Sequence, residues 1–322
     1  MSQEDVNEFC LIGEQYPALK KLIDATLGVW PEHKKYLSKR FQLNDDNFLG
    51  RTNELSSLIL KLVGADLLSY CQSYRWMCEN FIEEDLYFQR HKRYRMSTFD
   101  EVNAQVYSNH DYMSRYVQGI LLSQVFWHNH ALAMDTFRNY FLTSLPQKTS
   151  YLEIGPGHGL FLYFAAHAGA IQELTAYDVS NSSIEATEKA LNVLGVEKNV
   201  ALVLQDVTSY VKSQKKYNAI VISEVLEHLE NPIEAIKNLY QLLSADGLIY
   251  MNIPVNSPAP DHIYLWRKPE EVLDDVRNAG FEIDQYFLYP ATGCTVERAL
   301  KFDLSISCVV IAKKGKNNET DS

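Results

Sequence analysis

Residues Tyr151-Leu-Glu-Ile-Gly-Pro-Gly-His-Gly-Leu160 decide the fold, because a short apolar strand here runs directly into a turn with a glycine at every second position. The apolar, alanine-rich stretch 160–168 that follows predicts a helix. Glycines at this spacing let a ligand approach the backbone closely at a helix N-terminus, where free amide groups can bind it. A turn that binds nothing is the alternative interpretation.

The position of the third glycine argues against a dinucleotide. In the dinucleotide fingerprint Gly-x-Gly-x-x-Gly this glycine would fall at position 160, but the chain has Leu160 there and Gly159 one residue early. An acid, Glu153, also lies inside the strand, and a carboxylate suits a positively charged ligand better than a pyrophosphate. The sequence therefore predicts a nucleoside ligand with a cationic part rather than NAD.

The composition is that of an ordinary folded protein of 322 residues, 46% of them hydrophobic. Its formal net charge of −11 argues against a nucleic-acid partner, because phosphate binding needs clustered lysine and arginine. No apolar run approaches the roughly 20 residues that span a bilayer, and no targeting segment is visible. The five cysteines are scattered, which is typical of free thiols in a reducing compartment. We therefore expect a cytoplasmic protein without a membrane partner.

The chain divides into two parts of different pattern. Residues 1–145 carry apolar side chains at helical spacing, above all in the stretches 16–30, 55–88 and 112–142. From residue 146 to 314 strands and helices alternate, which predicts an α/β fold with a mostly parallel, Rossmann-like sheet. In this reading Asp246-Gly247 ends a helix and starts the fifth strand, and residues 315–322 form a disordered tail.

Polar residues stand where the predicted strands end, and ligands of parallel sheets bind at those carboxyl ends. Asp178 ends the second strand at the distance expected for a ribose-binding carboxylate; a helix N-cap is its alternative role. Asp206 follows the third strand and suits an adenine amino group, unless it is a solvated loop acid. Ser223 and Asn252 lie at the ends of the fourth and fifth strands.

Residues 140–314 resemble the class I S-adenosylmethionine-dependent methyltransferases. The resemblance lies in Glu153-Ile-Gly-Pro-Gly-His-Gly159, in the acids at 178 and 206, in Ser223-Glu-Val-Leu-Glu-His-Leu229 and in Leu243-Ser-Ala-Asp-Gly-Leu248. It implies a seven-stranded sheet whose last strand is antiparallel, and S-adenosyl-L-methionine as the cofactor. The residues that would bind this cofactor are Glu153, Gly155, Gly157, Gly159, Asp178, Val179, Asp206, Val207, Ser223 and Glu224.

Glu224, Glu227 and His228 form a cluster of possible metal ligands. Glu224 and His228 are four residues apart, which would place them on one face of a helix, with His262 as a distant further ligand. Some members of the family that methylate RNA termini or catechol-like rings depend on a metal. In many metal-free relatives the same pattern caps and packs the following turn, and we expect no metal here.

The stretch 252–262 contains three prolines, so we predict a stiff loop that leaves the fifth strand above the cofactor. Asp261 and His262 in this loop are candidate catalytic residues, because histidine accepts protons near neutral pH. Turn formation is the alternative role of this Asp-His pair.

The helical part supplies a candidate lid over the ligand. Its aromatic rings could contact a sulfonium through cation–π attraction, and their alternative role is packing. His128 is a further candidate base, with His130 as its alternative. The residues expected to contact the acceptor or to form the lid are Tyr107, Tyr112, Tyr116, Trp127, Asn129 and, from the fifth strand, Asn252.

These features together predict methyl transfer from S-adenosylmethionine to a nitrogen or oxygen atom of a small molecule, by a chain that could form a homodimer. Direct displacement at carbon needs alignment and exclusion of water rather than a protein nucleophile. One alternative is an enzyme of the same fold that cyclises the cofactor or transfers its aminocarboxypropyl group. Another is a non-catalytic binding or scaffold protein.

Overall fold

The computed structural model describes residues 15–42, 45–209 and 215–315, together with Ile12. Seven strands form one sheet: β1 (Thr149–Ile154), β2 (Ile171–Asp178), β3 (Val200–Leu204), β4 (Tyr217–Ser223), β5 (Leu243–Val255), β6 (Phe281–Pro290) and β7 (Ile306–Lys314). Their order is β3-β2-β1-β4-β5-β7-β6, and β7 alone runs antiparallel to its neighbours. This confirms the predicted Rossmann-like sheet with an antiparallel last strand.

The part before the sheet is helical, as predicted. Its helices are α1 (Pro17–Val29), α2 (Lys34–Phe41), α3 (Asp46–Val63), α4 (Leu67–His91), α5 (Phe99–Val102), α6 (His110–Phe126), α7 (His128–Thr136) and α8 (Leu142–Ser144). The predicted continuous helical stretch 112–142 is wrong in one respect, because the chain breaks at Trp127, whose backbone is extended at φ −93° and ψ 125°. The break at Trp127 separates α7 from α6.

Helices also connect the strands: α9 (Leu160–His167), α10 (Asn181–Leu194), α11 (Pro232–Leu242), α12 (Pro269–Asn278) and α13 (Val296–Phe302). The predicted start of β5 after Asp246-Gly247 is wrong. The strand begins at Leu243, which pairs with Tyr217, while Leu248 pairs with Ala219 two residues further along β4. The residues in between form a bulge, so Asp246-Gly247 interrupts the pairing of β5 rather than starting the strand.

The helical part covers one face of the sheet. A single cluster of buried side chains contains Phe126, Phe137 and Phe141 from the helices as well as Tyr151 and Tyr250 from the strands. The hydroxyl of Tyr250 donates a hydrogen bond of 2.8 Å to the carbonyl of Ala133 in α7. The hydrophobic core therefore crosses the predicted division between residues 1–145 and 146–314, and this division stays a prediction.

Two further expectations concern membrane-spanning helices and the tail after β7. Among the residues that the structure describes, no helix has both the length and the apolar character needed to cross a bilayer. Of the predicted disordered tail, Gly315 donates its amide to the carbonyl of Gly280 at 3.0 Å. The rest of that tail, residues 316–322, lies outside the described residues.

Candidate functional site

The glycine turn between β1 and α9 has a backbone that other residues adopt only with strain. Gly155, Gly157 and Gly159 have φ angles of 65°, 49° and 72°. A Cβ on Gly155 would stand 2.7 Å from Val225 Cγ2, whereas one on Gly157 would meet only the Gly155 carbonyl oxygen, at 3.9 Å. The turn is thus closed on the inside at Gly155 and open at Gly157, where a ligand can reach the backbone.

Glu153 lies on β1 directly before this turn and is only 3% exposed. Its Oε2 accepts a hydrogen bond of 2.8 Å from the hydroxyl of Tyr151. Burial raises the pKa of Glu153 to about 8, although the bond from Tyr151 acts in the opposite direction. Ionisation of this carboxyl group near neutral pH is therefore favoured by a ligand that brings positive charge.

Asp178 stands at the carboxyl end of β2, as predicted. Its Oδ1 accepts the amide of Ser180 at 2.9 Å, and burial raises the pKa of its carboxyl group. The alternative role as a helix cap belongs to Ser180, whose hydroxyl accepts the amide of Ser183 at the start of α10. The neighbouring Val179 is 67% exposed, which leaves an apolar surface beside this carboxylate.

Asp206 follows β3 and folds back on its own turn. Its Oδ1 accepts the amide of Thr208 at 2.8 Å and the hydroxyl of the same residue at 2.7 Å. Val207 is buried in a hydrophobic cluster on the sheet that also contains Leu152 and Leu226. The structure thus holds the Asp206 carboxylate in a local turn at the same edge of the sheet as Asp178, and neither acid lines the cavity described next.

A cavity of about 220 Å³ opens between the ends of β1, β4 and β5 and the helices α4, α6 and α7. The glycine turn bounds it through Gly155, Pro156 and Gly157. Its apolar wall comes mainly from the helical part: Phe81, Met113, Val117, Ile120, Trp127 and Phe161. Of the predicted acceptor and lid residues, Tyr116, Trp127 and Asn252 line the cavity, whereas Tyr107, Tyr112 and Asn129 do not.

Polar residues at the ends of β4 and β5 are linked beneath the cavity. The side-chain nitrogen Nδ2 of Asn252 donates to Ser223 Oγ at 3.1 Å and to Glu224 Oε1 at 2.9 Å. Glu224 has a positive φ of 53°, and burial raises the pKa of its carboxyl group to about 8. Ser223 and Asn252 were predicted from their positions at strand ends and Glu224 from the family resemblance, and the structure brings the three together.

The segment 224–228 is not the predicted helical face. Glu224 has a left-handed backbone and only Leu226–His228 form a short 3-10 turn, so Glu224 and His228 do not follow α-helical spacing. Instead, side-chain atoms of Glu227, His228 and His262 lie within 4.8 Å of one another. The bend at Glu224 turns Glu227 inward, where it is completely buried. Burial, with Glu224 nearby, raises the pKa of Glu227 well above its ordinary value.

The two candidate catalytic residues of the proline-rich loop are both buried. Asp261 accepts a hydrogen bond of 2.7 Å from the hydroxyl of Tyr116, which fixes the loop to the lid. His262 lines the cavity, and burial lowers its pKa to about 4. Tyr107 lies beside the cluster of Glu227, His228 and His262, with its hydroxyl oxygen 3.4 Å from Nδ1 of His228.

Of the two candidate bases after Trp127, His130 reaches the cavity and His128 does not. His128 packs its ring against Phe48 outside the cavity, and Asn129 donates to Ser307 Oγ at 3.0 Å. His130 lines the cavity, with Nδ1 at 3.0 Å from Ser123 Oγ. The sequence left His128 and His130 as alternatives, because the break at Trp127 sets which side of α7 faces the sheet. Gln124 and Ser257 were not assigned to the site from the sequence, and both line the cavity.

The chain is similar to several known proteins. The sequence profile of a family described as a methyltransferase domain matches residues 126–286, half of the chain. The chain is 34% identical over 158 residues to the ubiquinone biosynthesis O-methyltransferase of Rickettsia canadensis, covering 43% of this chain and 64% of that protein. It is 31% identical over 101 residues to a Papaver bracteatum protein named "Probable (S)-tetrahydroprotoberberine N-methyltransferase 2", covering 31% of this chain and 28% of that protein.

Both alignments thus span less than two thirds of the curated relatives. Among solved structures, the N-methyltransferase NodS of Bradyrhizobium japonicum aligns with a TM-score of 0.44 and 16% identity, over 58% of this chain and 94% of that chain.

Proposed function

The chain belongs to the class I S-adenosylmethionine-dependent methyltransferases, and on this premise we propose that it transfers a methyl group from S-adenosylmethionine to a nitrogen or oxygen atom of a small molecule. The observation that carries the proposal is the cavity itself. It joins the glycine turn and Glu153 on one side to an apolar wall from the helical part on the other. A cofactor at the turn and an acceptor under the helices would therefore meet inside one enclosed space.

The residues present fit this cofactor. The open side of Gly157 gives room for a ligand at the backbone, and Glu153 supplies a buried acid for a cationic group. Asp178 would accept hydrogen bonds from ribose hydroxyls, and Asp206 with Val207 would contact the adenine. The carboxyl ends of β4 and β5 contribute Ser223, Glu224 and Asn252 from the other side of the turn.

The cofactor supplies a methyl carbon bound to a sulfonium, and the protein has to align the acceptor with it and exclude water. Phe81, Trp127 and Phe161 would exclude water, since they form part of the apolar wall. Tyr116 holds Asp261 by a hydrogen bond and thereby fixes the loop 252–262 against α6. The roles of Asp261, His262 and His128 in proton transfer stay predictions from the sequence.

The acceptor is proposed to be a small molecule because the chain carries a formal charge of −11, which disfavours a nucleic acid. The cavity of about 220 Å³ is of a size to admit part of a small organic acceptor rather than a folded macromolecule. Homodimer formation and a cytoplasmic location stay predictions from the sequence.

Mass spectrometry of the nucleoside product tests this proposal. The protein would be incubated with S-adenosylmethionine labelled in the methyl group and with small hydroxylated or amine-bearing acceptors. We expect S-adenosylhomocysteine together with a labelled acceptor. Methylthioadenosine as the product would instead support cyclisation or aminocarboxypropyl transfer, and a protein that binds no cofactor would support the scaffold alternative.

Replacement of Asp178 by alanine is expected to weaken cofactor binding without unfolding the protein. Loss of hydrogen bonds to a charged acceptor costs about 1.5–3 kcal/mol, which corresponds to roughly 10–150-fold in the dissociation constant. Calorimetric titration and thermal unfolding would be measured together. Ser180→Ala is the matched control, because it removes the hydroxyl that caps α10 and should lower stability by about 1 kcal/mol with unchanged cofactor affinity. The reverse pattern would mean that Asp178 has a structural role.

A further inference from the structure

The imidazole of His130 is held through its Nδ1 atom. The hydroxyl of Ser123 donates its hydrogen to the carbonyl of Ile120 at 2.8 Å, so its oxygen is left to accept from Nδ1 of His130, 3.0 Å away. Nδ1 therefore carries the ring hydrogen, and Nε2 of the neutral ring has a lone pair. The side chain of Gln124 stands further from Nδ1, at 3.4 Å, and its amide can turn its oxygen toward that hydrogen.

Nε2 of His130 is open to the cavity. Within the described part of the chain both polar contacts of this ring involve Nδ1, and Nε2 is not enclosed by protein atoms. His130 lines the cavity beside Trp127, whose ring centre is 4.9 Å from that of the imidazole. Burial, with His158 and His262 nearby, lowers the pKa of His130 to about 3. The ring therefore stays neutral near pH 7 and keeps its lone pair.

The other imidazoles of the cavity do not offer such a lone pair. Nδ1 of His158 accepts a main-chain amide at 3.2 Å, so Nε2 of that ring carries the hydrogen. Nε2 of His228 and Nε2 of His262 face Oε1 of Glu227, at 3.5 and 3.8 Å. Burial raises the pKa of Glu227, which keeps a hydrogen on the carboxyl group that these two rings share. Among the described residues that line the cavity, His130 alone thus has an imidazole nitrogen ready to accept a hydrogen bond.

We propose that Nε2 of His130 accepts a hydrogen bond from the methyl-accepting group and thereby selects an apolar acceptor whose nucleophilic oxygen or nitrogen carries a hydrogen. The wall beside His130 is apolar, and the described residues that line the cavity include no lysine or arginine for an anionic group. An ether or a tertiary amine has no hydrogen for Nε2 and would leave this nitrogen without a partner, which costs binding energy. Ser123 is a positioning residue, because it sets which ring nitrogen carries the hydrogen.

The inference rests on the proposed function only where it identifies the bound group as the methyl acceptor. Binding of a hydrogen donor at His130 can be measured without cofactor and without methyl transfer. A donor bound at His130 in a protein that forms no S-adenosylhomocysteine would support the binding site and contradict the proposed function, so failures of the two ideas are distinguishable.

Long-range proton–nitrogen NMR of the isotope-labelled histidine rings tests the state of His130 in the full chain. We expect Nδ1 to resonate as an N–H nitrogen and Nε2 as a nitrogen with a lone pair, with the signals assigned by their loss in His130→Asn. Phenol should shift the Nε2 resonance, and anisole should not. Ser123→Ala should increase the fraction of rings with the hydrogen on Nε2. A wild-type ring with its hydrogen on Nε2, or no response to phenol, would overturn the proposal.

Equilibrium titration with matched probes tests the selection. Phenol and aniline carry the hydrogen, whereas anisole and N,N-dimethylaniline lack it. The ratio of phenol to anisole affinity should fall by about 2–12-fold in His130→Asn, the range of one neutral hydrogen bond. A fall for phenol alone assigns a hydroxyl acceptor, and a fall for aniline alone assigns an amine. Ratios that are unchanged for both pairs would overturn the proposal.

The variants differ in which ring nitrogen they replace. His130→Asn keeps an amide near the position of Nδ1, so Ser123 retains its donor while the acceptor nitrogen is lost. His130→Gln places an amide oxygen near the position of Nε2 and should keep part of the preference. His33→Gln is the control, because His33 is a buried imidazole outside the cavity, with Nε2 3.1 Å from the hydroxyl of Tyr74.

The control His33→Gln should keep the affinity ratios of the wild type. Thermal unfolding of each variant reports folding separately, and the NMR test on the wild type decides the proposal even where His130→Asn does not fold. An equal fall of the ratios in the control and in His130→Asn would contradict the role of His130.

Discussion

The variant Gly157→Val is expected to lose S-adenosylmethionine binding while it keeps its fold. A Cβ at Gly157 would stand in open space, with the Gly155 carbonyl oxygen as its nearest neighbour at 3.9 Å. The added side chain would therefore occupy the room that the proposed ligand needs at the backbone. We expect the dissociation constant to rise by about 100-fold or more, equivalent to about 2.7 kcal/mol, in calorimetric titration.

The backbone strain of this substitution can be measured separately. Gly157 has a φ of 49°, and a branched residue in this left-handed region costs about 1–2 kcal/mol. Gly195 ends α10 with a φ of 75° and no atom within 4 Å of its Cβ position. Gly195→Val should therefore lose similar stability and bind the cofactor normally. Normal binding by Gly157→Val, or equal loss in both variants, would refute the assignment of the turn.

The variant Glu153→Gln is expected to be more stable than the wild type at pH 8 and weaker in cofactor binding. In the unfolded chain Glu153 ionises near the ordinary glutamate pKa, whereas burial raises the pKa to about 8 in the folded protein. The free energy of unfolding of the wild type thus falls as pH rises between these values, by up to about 1.4 kcal/mol per pH unit. Glutamine still accepts the hydrogen bond from Tyr151 and removes this dependence.

The same ionisation determines the pH dependence of cofactor binding. A cationic ligand favours the Glu153 carboxylate, so wild-type affinity should rise toward pH 8, and the slope should be smaller in Glu153→Gln. Denaturant unfolding and calorimetry from pH 5 to pH 9 measure both effects.

Glu173→Gln is the control, because Glu173 lies on the neighbouring strand with its side chain 60% exposed; a change within about 0.5 kcal/mol is expected. Parallel stability profiles of wild type and Glu153→Gln would contradict the role of burial.

The sheet and the glycine turn were predictable because their signals are local. Glycine spacing, the acids after β2 and β3 and the alternation of strand and helix all appear within short windows of sequence. The start of β5 was misplaced for the opposite reason. Asp246-Gly247 reads as a helix end, but pairing of Leu243 with Tyr217 on another strand decides where β5 begins.

The inner surface of the cavity depends on contacts that sequence spacing does not encode. His228 and His262 are 34 positions apart (262 − 228), and they meet only because the loop after β5 folds back on the turn after β4. The choice between His128 and His130 likewise depends on the extended backbone of Trp127. In both cases the residue types were visible in advance, and the direction of each side chain was set by tertiary packing.

A crystal structure of the protein with S-adenosylhomocysteine would test the central claim most directly. The account predicts the nucleoside along the glycine turn, with Gly157 in contact with the ligand, the ribose on Asp178 and the amino acid part beside Glu153. The acceptor cavity should then remain open toward Trp127 and His262. A nucleoside bound elsewhere on the chain, or protein crystals without ligand at saturating concentration, would contradict the account.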